Sequence, residues 1–252
     1  RRVELEGDLR RALEGNELEV VYQPKFAAQD NRLTGAEALL RWRHPKRGMI
    51  PPKEFIPILE ETGLIVQAGH WVMQEAIKTL LAWRARGRSD LRMAVNVSAR
   101  ELRDVNFLDE ARALLEPHAA NQFLDLEVTE SLLVEDVEQS IRLLEKLRAM
   151  GCQVAVDDFG TGYSSLNYLV RLPVDVLKID QSFVARLEHS PVTVSLVMNI
   201  IALAHSLSLR VVAEGVETEG QARLLRQLGC EWLQGFLLGR PLPPDQFAAR
   251  FL

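Results

Sequence analysis

The chain is poor in the residues that build disulfide scaffolds and zinc sites. It has two cysteines in 252 residues, Cys152 and Cys230, each directly after a glycine at the start of an apolar run. Two such distant cysteines read as small buried residues in a reducing compartment. The five histidines, His44, His70, His118, His189 and His205, show no His-x-x-x-His or Cys/His spacing, which removes the usual zinc patterns. There is no basic block, and the net charge is −5, so duplex nucleic acid is not an expected partner. No long hydrophobic run is present either. The most apolar helical stretch, 192–209, is broken by Ser195, Asn199, His205 and Ser206, which predicts an amphipathic helix and no direct membrane contact. No signal peptide is visible, and the first residue is Arg1. We therefore expect a cytoplasmic domain cut from a longer parent protein. Any inner-membrane tether or regulatory domain would belong to the other parts of that parent.

What the chain does have is apolar material for one large core, at 47% of residues, and a regular alternation of strand-like and helix-like segments. Strands are expected at 18–23, 33–42, 92–97, 123–128, 153–157, 174–179, 210–213 and 231–234. Between them, Val137, Ile141, Leu144 and Leu147 recur at helical spacing, with Gly151 as the stop. Leu196, Ile200, Leu203 and Leu207 do the same in a later helix. Thr218 and Gln221 form a capping box, and Gly229 ends the helix that follows. Strand–helix alternation over this length predicts an α/β fold, a (β/α)8 barrel in one domain spanning 1–252. One link breaks the pattern. Only about nine residues, within the stretch PKFAAQDNRL, separate the first two strands, too few for a parallel crossover. The first strand is therefore expected to run antiparallel to the other seven.

Polar residues gather at the C-terminal ends of these strands: Glu37, Asn96, Glu127, Glu130, Asp157, Asp158, Lys178, Glu214, Glu217 and Gln234. In a parallel barrel those ends share one face, where active sites are built. Adjacent carboxylates such as Asp157 and Asp158 cannot all stay ionised without counter-charge. Oxygen donors without sulfur or imidazole suit magnesium or manganese. A pair of such ions would serve in-line displacement at a phosphodiester. Taken singly, each acid reads more readily as a helix cap or a solvated turn residue than as a metal ligand. Glu130 and Glu217, close to helix starts, keep that ambiguity, and Lys178 in its apolar run also reads as a snorkelling surface lysine. Six coincident strand ends outweigh these single-residue readings.

Nine blocks then carry a resemblance along nearly the whole chain: YQPK (22–25), EALLRWRHP (37–45), PPKEFIPILEETGLI (51–65), VNVSARE (95–101), LEVTES (126–131), DDFGTGYSSLNYL (157–169), LKID (177–180), VVAEGVET (211–218) and QGFLLGRPLP (234–243). Their order and content resemble the EAL-domain family, bacterial phosphodiesterases that hydrolyse cyclic di-GMP, with Glu37-Ala38-Leu39 as the signature triplet. The resemblance implies a modified eight-stranded barrel with one antiparallel strand. It implies two Mg2+ or Mn2+ ions per site. Glu37, Asn96, Glu127 and Asp157 would hold one ion, and Asp157, Asp158 and Glu214 the other, with Gln234 at the ions' water shell. Lys178 would hold the attacking water or the developing phosphate charge, and Glu37 and Glu214 would share in catalysis. Gln23, Leu39 and Arg41, with Asn96, Asp158 and Lys178, would face the substrate. The implied reaction opens one 3′–5′ bond of cyclic di-GMP to give linear 5′-pGpG. Glu130, Phe159, Gly160, Thr161, Gly162 and Glu217 match a loop that couples dimerisation to the site, implying a homodimer. The alternative is a catalytically silent module that only senses cyclic di-GMP. A different magnesium-dependent barrel enzyme, such as a lyase, fits the fold but not the blocks. Two departures are minor: Phe236 stands where tyrosine is common, and Gln181 where a basic residue is frequent.

Overall fold

The structure is a computed structural model that describes residues 2–15, 17–160 and 169–252; Thr161 and Gly162 lie outside the described residues. Among the described residues nine strands form one sheet: β1 (Leu18–Ala27), β2 (Leu33–His44), β3 (Gly48–Ile50), β4 (Arg92–Asn96), β5 (Leu124–Thr129), β6 (Gln153–Phe159), β7 (Val176–Ile179), β8 (Arg210–Ala213) and β9 (Trp232–Gln234). Eight of them close on themselves in the order β1-β9-β8-β7-β6-β5-β4-β2, with β1 paired to β2; β3 adds only to the outer end of β2. β1 is antiparallel to both its barrel neighbours, and the other barrel contacts are parallel. The short link between β1 and β2 therefore does force a hairpin. The three-residue β3, after the tight turn at 45–47, is an addition to the expected strands.

The helices described are α1 (Arg2–Glu14), α2 (Pro52–Thr62), α3 (Leu64–Ala85), α4 (Ala99–Leu102), α5 (Phe107–Leu115), α6 (Glu130–Glu135), α7 (Val137–Ala149), α8 (Gln181–Val184), α9 (Pro191–Ser206), α10 (Glu219–Gln227) and α11 (Pro244–Phe251). Strand alternation sorts the side chains between two interiors. On β5, Leu124, Leu126 and Val128 join the large core between barrel and helices, whereas Asp125 and Glu127 lie in register with the inward-facing residues of the neighbouring strands. The barrel's own apolar interior is small: Ala155, Val176, Val212 and Trp232. A separate core joins α1, the outer half of β2, β3 and α2 through Leu9, Trp42, Ile50, Phe55 and Leu59. It braces the stretch of the β1–β2 ribbon that extends beyond Glu37.

Caps behave as the sequence suggests. Thr218 and Gln221 bond reciprocally at the start of α10, and Gly151 and Gly229 follow α7 and α10 with φ of 97° and 91°. One helix face is corrected. α9 buries Val197, Ile200, Ile201 and Ala204, while Leu196 is 43% exposed. This helix is apolar on more than one side, so spacing alone picks between two overlapping stripes. No described helix is long and apolar enough to cross a membrane. Both cysteines are free and buried, and burial pushes their thiols up to about 11 and about 12.

Candidate active site

The C-terminal ends of the parallel strands meet around one buried cation. Lys178, on β7, is 1% exposed, which rules out a snorkelling surface residue. Its Nζ donates to Asp157 Oδ2 at 3.1 Å and to Glu127 Oε2, lies 2.7 Å from Glu214 Oε1, and is 3.7 Å from Glu37 Oε2. Glu37 is fixed from both sides by amides. Asn96 Nδ2 donates to its Oε1 at 2.7 Å, and Gln234 Nε2 donates to its Oε2 at 2.6 Å. Gln234 also donates to Gln23 Oε1 at 3.2 Å, and Gln23 Nε2 reaches the Gly239 carbonyl at 3.3 Å. The antiparallel β1 thus supplies its own side chain to a ring otherwise built by parallel strands.

Simple pleating would send Asp157 and Asp158 to opposite faces. A bulge prevents this. Between the β6–β7 pairs Val156↔Leu177 and Phe159↔Ile179, β6 carries one extra residue, and Asp158 takes φ 55°. The bulge re-aims the second aspartate. As a result, oxygens of Asp157, Asp158 and Glu214 all lie within 4.8 Å of one another. The Asp158 N–H donates to Asp157 Oδ1 at 2.8 Å, which locks the turn. The next residues lead to Gly160, whose N–H donates to Glu130 Oε2 at 3.0 Å, with Phe159 buried behind it. Glu217 is placed differently. It is exposed before α10, and its N–H donates to Gln221 Oε1 at 2.8 Å.

Electrostatics follow from crowding. Burial pushes Glu127 well above the usual carboxylate range, and Glu37 adds to the push. Burial likewise lifts Glu214 to about 8. For Asp158, burial and then Asp157 and Asp180 raise the carboxyl. Glu37 goes the other way: burial opposes its charge, but Lys178 and the amides of Gln234 and Asn96 hold it below its ordinary value. Burial disfavours the Lys178 charge, yet Asp157, Glu127, Glu214 and Glu37 outweigh it and keep the ammonium protonated. Acids in excess over cations, presenting only oxygen donors, form a donor set that fits hard divalent ions.

Beside this cluster opens a cavity of about 440 Å3. Asn96 and Glu127 line it together with Leu39, Arg41, Ile56 and Val72. Arg41 is held in place by donating to the Leu40 carbonyl at 2.8 Å. A second layer, not singled out from the sequence, lies under the cluster. Lys25 Nζ is 3.5 Å from Asp125 Oδ2, Arg92 donates to Asp125 Oδ1 at 2.6 and 2.8 Å, and Arg210 stacks over Trp232 at 4.7 Å. The signal was present: Lys25 is two residues from Gln23 and Asp125 two from Glu127, the spacing of residues on one strand face.

Known proteins share this sequence pattern and fold. The family model of the EAL domain matches residues 6–241. The bifunctional diguanylate cyclase/cyclic di-GMP phosphodiesterase MucR of Pseudomonas aeruginosa is 49% identical over 243 residues, covering 96% of this chain and 36% of that protein. The cyclic di-GMP phosphodiesterase PdeR of Escherichia coli is 42% identical over 244 residues, 96% of this chain and 37% of that protein. The chain thus spans roughly a third of the length of these relatives. Among solved structures, the PaMucR phosphodiesterase in complex with c-di-GMP superposes with a TM-score of 0.93 at 48% identity, covering 97% of this chain and 99% of that one. With the barrel, the bulged aspartate pair and the family match over residues 6–241 in agreement, the chain belongs to the EAL domain family.

Proposed function

We propose that this chain is a cyclic di-GMP phosphodiesterase that opens one 3′–5′ phosphodiester bond to give linear 5′-pGpG. The observation that carries this reading is the convergence of Glu37, Glu127, Asp157 and Glu214 on Lys178, with Asn96 on Glu37 and Asp158 grouped with Asp157 and Glu214, next to a cavity lined by Leu39 and Arg41. The names of relatives such as MucR and PdeR support the substrate.

In this reading Glu37, Asn96, Glu127 and Asp157 would hold one Mg2+ or Mn2+, Asp157, Asp158 and Glu214 would hold the second, and Gln234 would steady the shell by gripping Glu37. When bound, the two ions supply Lewis acidity and offset negative charge at the reacting phosphate. The protein's own part is orientation. Asn96 and Gln234 fix both oxygens of Glu37, and the bulge fixes Asp158 relative to Asp157. Arg41, lining the cavity, would meet the dinucleotide's phosphates, where a guanidinium fork suits paired oxygens, and Gln23 would support them from the buried amide cluster. Water adds to phosphorus in line with the 3′ oxygen, the P–O3′ bond breaks, and the proton lost by water is balanced on the departing 3′ hydroxyl. Lys178 faces the charge that builds on the phosphoryl oxygens.

Residues 1–252 would then be one domain of a longer signalling protein, cytoplasmic and regulated by its other segments. We read it as a homodimer through the loop after Asp158 and the neighbouring α9. The exposed apolar residues of that helix, Val192, Leu196 and Met198, support this. Sedimentation should show concentration-dependent dimers, weakened by Leu196→Glu; a monomer at all concentrations rejects that part.

The test of function is nucleotide separation after incubating cyclic di-GMP with the domain in Mg2+, in Mn2+ and in chelator. Metal-dependent appearance of pGpG, lost in Glu37→Ala, is the expected result. Tight binding with no turnover in either metal would make the chain a sensor.

A further inference from the structure

The oxygens that the two-metal reading assigns to divalent ions are already engaged. Lys178 Nζ contacts Glu127 Oε2, Asp157 Oδ2 at 3.1 Å and Glu214 Oε1 at 2.7 Å, with Glu37 Oε2 at 3.7 Å. An ammonium has three protons, so three close carboxylates use them all. Among the described residues, no other lysine or arginine forms an ion pair with these four acids. The other nearby cations act on these acids only from further off: Lys25 pairs with Asp125, and Arg41 donates to the Leu40 carbonyl while feeling the charge of Glu37. One charge faces several acids in a space with little water, where unpaired charge is costly. Divalent ions bound here would have to take over the oxygens of Glu127, Asp157 and Glu214 that the ammonium contacts.

We propose that Lys178 is the counter-ion of the metal-free site, that it competes with divalent ions for Glu127, Asp157 and Glu214, and that metal loading releases its ammonium to meet the substrate phosphate. The proposal rests on the two-metal phosphodiesterase reading and adds an order of events to it. Lys178 is engaged with protein acids until the ions take them over. The residue would then have two successive partners: carboxylates before loading, phosphate after. A lysine suits such an exchange, being a flexible point charge without the fixed fork of arginine.

The decisive measurement uses metal alone, without nucleotide. Mn2+ is titrated calorimetrically into the metal-free chain and into Lys178→Met, which keeps an unbranched side chain of similar length and removes the charge. The variant should bind Mn2+ at least about tenfold more tightly, because its competitor is gone. Its metal-free form should melt earlier than the wild type, and saturating Mn2+ should close that gap. Affinity in the variant equal to or weaker than in the wild type overturns the proposal. If Lys178→Met does not fold without metal, the wild type decides. In spectra of the 15N-lysine-labelled chain, the Lys178 ammonium should be protected from exchange without metal, then shift and lose protection on saturation with Mg2+. A signal unmoved at saturation overturns the proposal equally. Failure of the enzyme reading is seen separately, as absence of pGpG, and leaves the metal titration interpretable.

Discussion

The barrel interior has two charged layers that solve the same problem differently. In the lower layer, Asp125 is matched by Arg92 and Lys25, and Trp232 lies under the cations of Lys25 and Arg210. Every charge named there has a partner within the protein. In the upper layer, Glu37, Glu127, Asp157 and Glu214 share the single ammonium of Lys178. The two layers are about one strand repeat apart, as the pairs Asp125/Glu127 and Lys25/Gln23 show. The lower layer is complete without a ligand, whereas the upper one is built to be completed by added cations. Buried charge by itself therefore says little about chemistry; a local excess of one sign says much more.

The contrast can be broken most sharply from above. Asp157→Asn keeps the shape but halves the donor capacity at the bulge, and kcat for cyclic di-GMP should fall about 10³-fold or more with the fold intact by circular dichroism. From below, Lys25→Met should act the opposite way. It should lower stability by about 2 kcal/mol, since Arg92 still holds Asp125, and leave kcat within a few-fold. Parallel denaturation and turnover curves would check this, and a large loss of kcat at unchanged stability would erase the distinction between layers.

A third effect, confined to a pH window, lies beside the cavity. Glu101 is buried, accepting from the Ser98 N–H and hydroxyl at 2.8 and 2.6 Å, and burial lifts its carboxyl from 4.5 to about 7. A carboxyl raised on folding is most stabilising when protonated in both states. Stability should therefore be highest below about pH 4.5, decline as pH rises through 4.5 to 7, and level off above, by at most about 3 kcal/mol from this group. Glu101→Gln keeps the acceptor and should flatten that decline, as read from melting curves across the same range.

The sequence was legible where periodicity and linker length act locally. The eight barrel strands are found within a few residues of their expected ends, and the nine-residue link forced the antiparallel β1. β1 runs on to Ala27 because its last residues, Lys25 to Ala27, pair with β9 as well as lying beside β2. Less legible were features set by contacts distant in sequence. The brace of α1, β3 and α2 depends on Trp42 and Phe55 meeting Leu9, which no local pattern announces. The exposed Leu196 shows how an all-round apolar helix hides its orientation. In the site, the strand-end acids were readable as a set. The depth of Lys178 was not, because one lysine in an apolar run looks alike whether it points to solvent or to the barrel axis. Glu217, grouped with the loop on resemblance, sits exposed at a helix start.

The bulge at Asp157–Asp158 also separates two kinds of sequence change. A substitution there removes one side chain and leaves the pleat in phase. Deleting either aspartate between Val156 and Phe159 would restore plain alternation, leave a single acid at this strand end, and pull Gly160 off Glu130. Point replacements in this segment should thus be graded in their effect, whereas any change of length should be all-or-none.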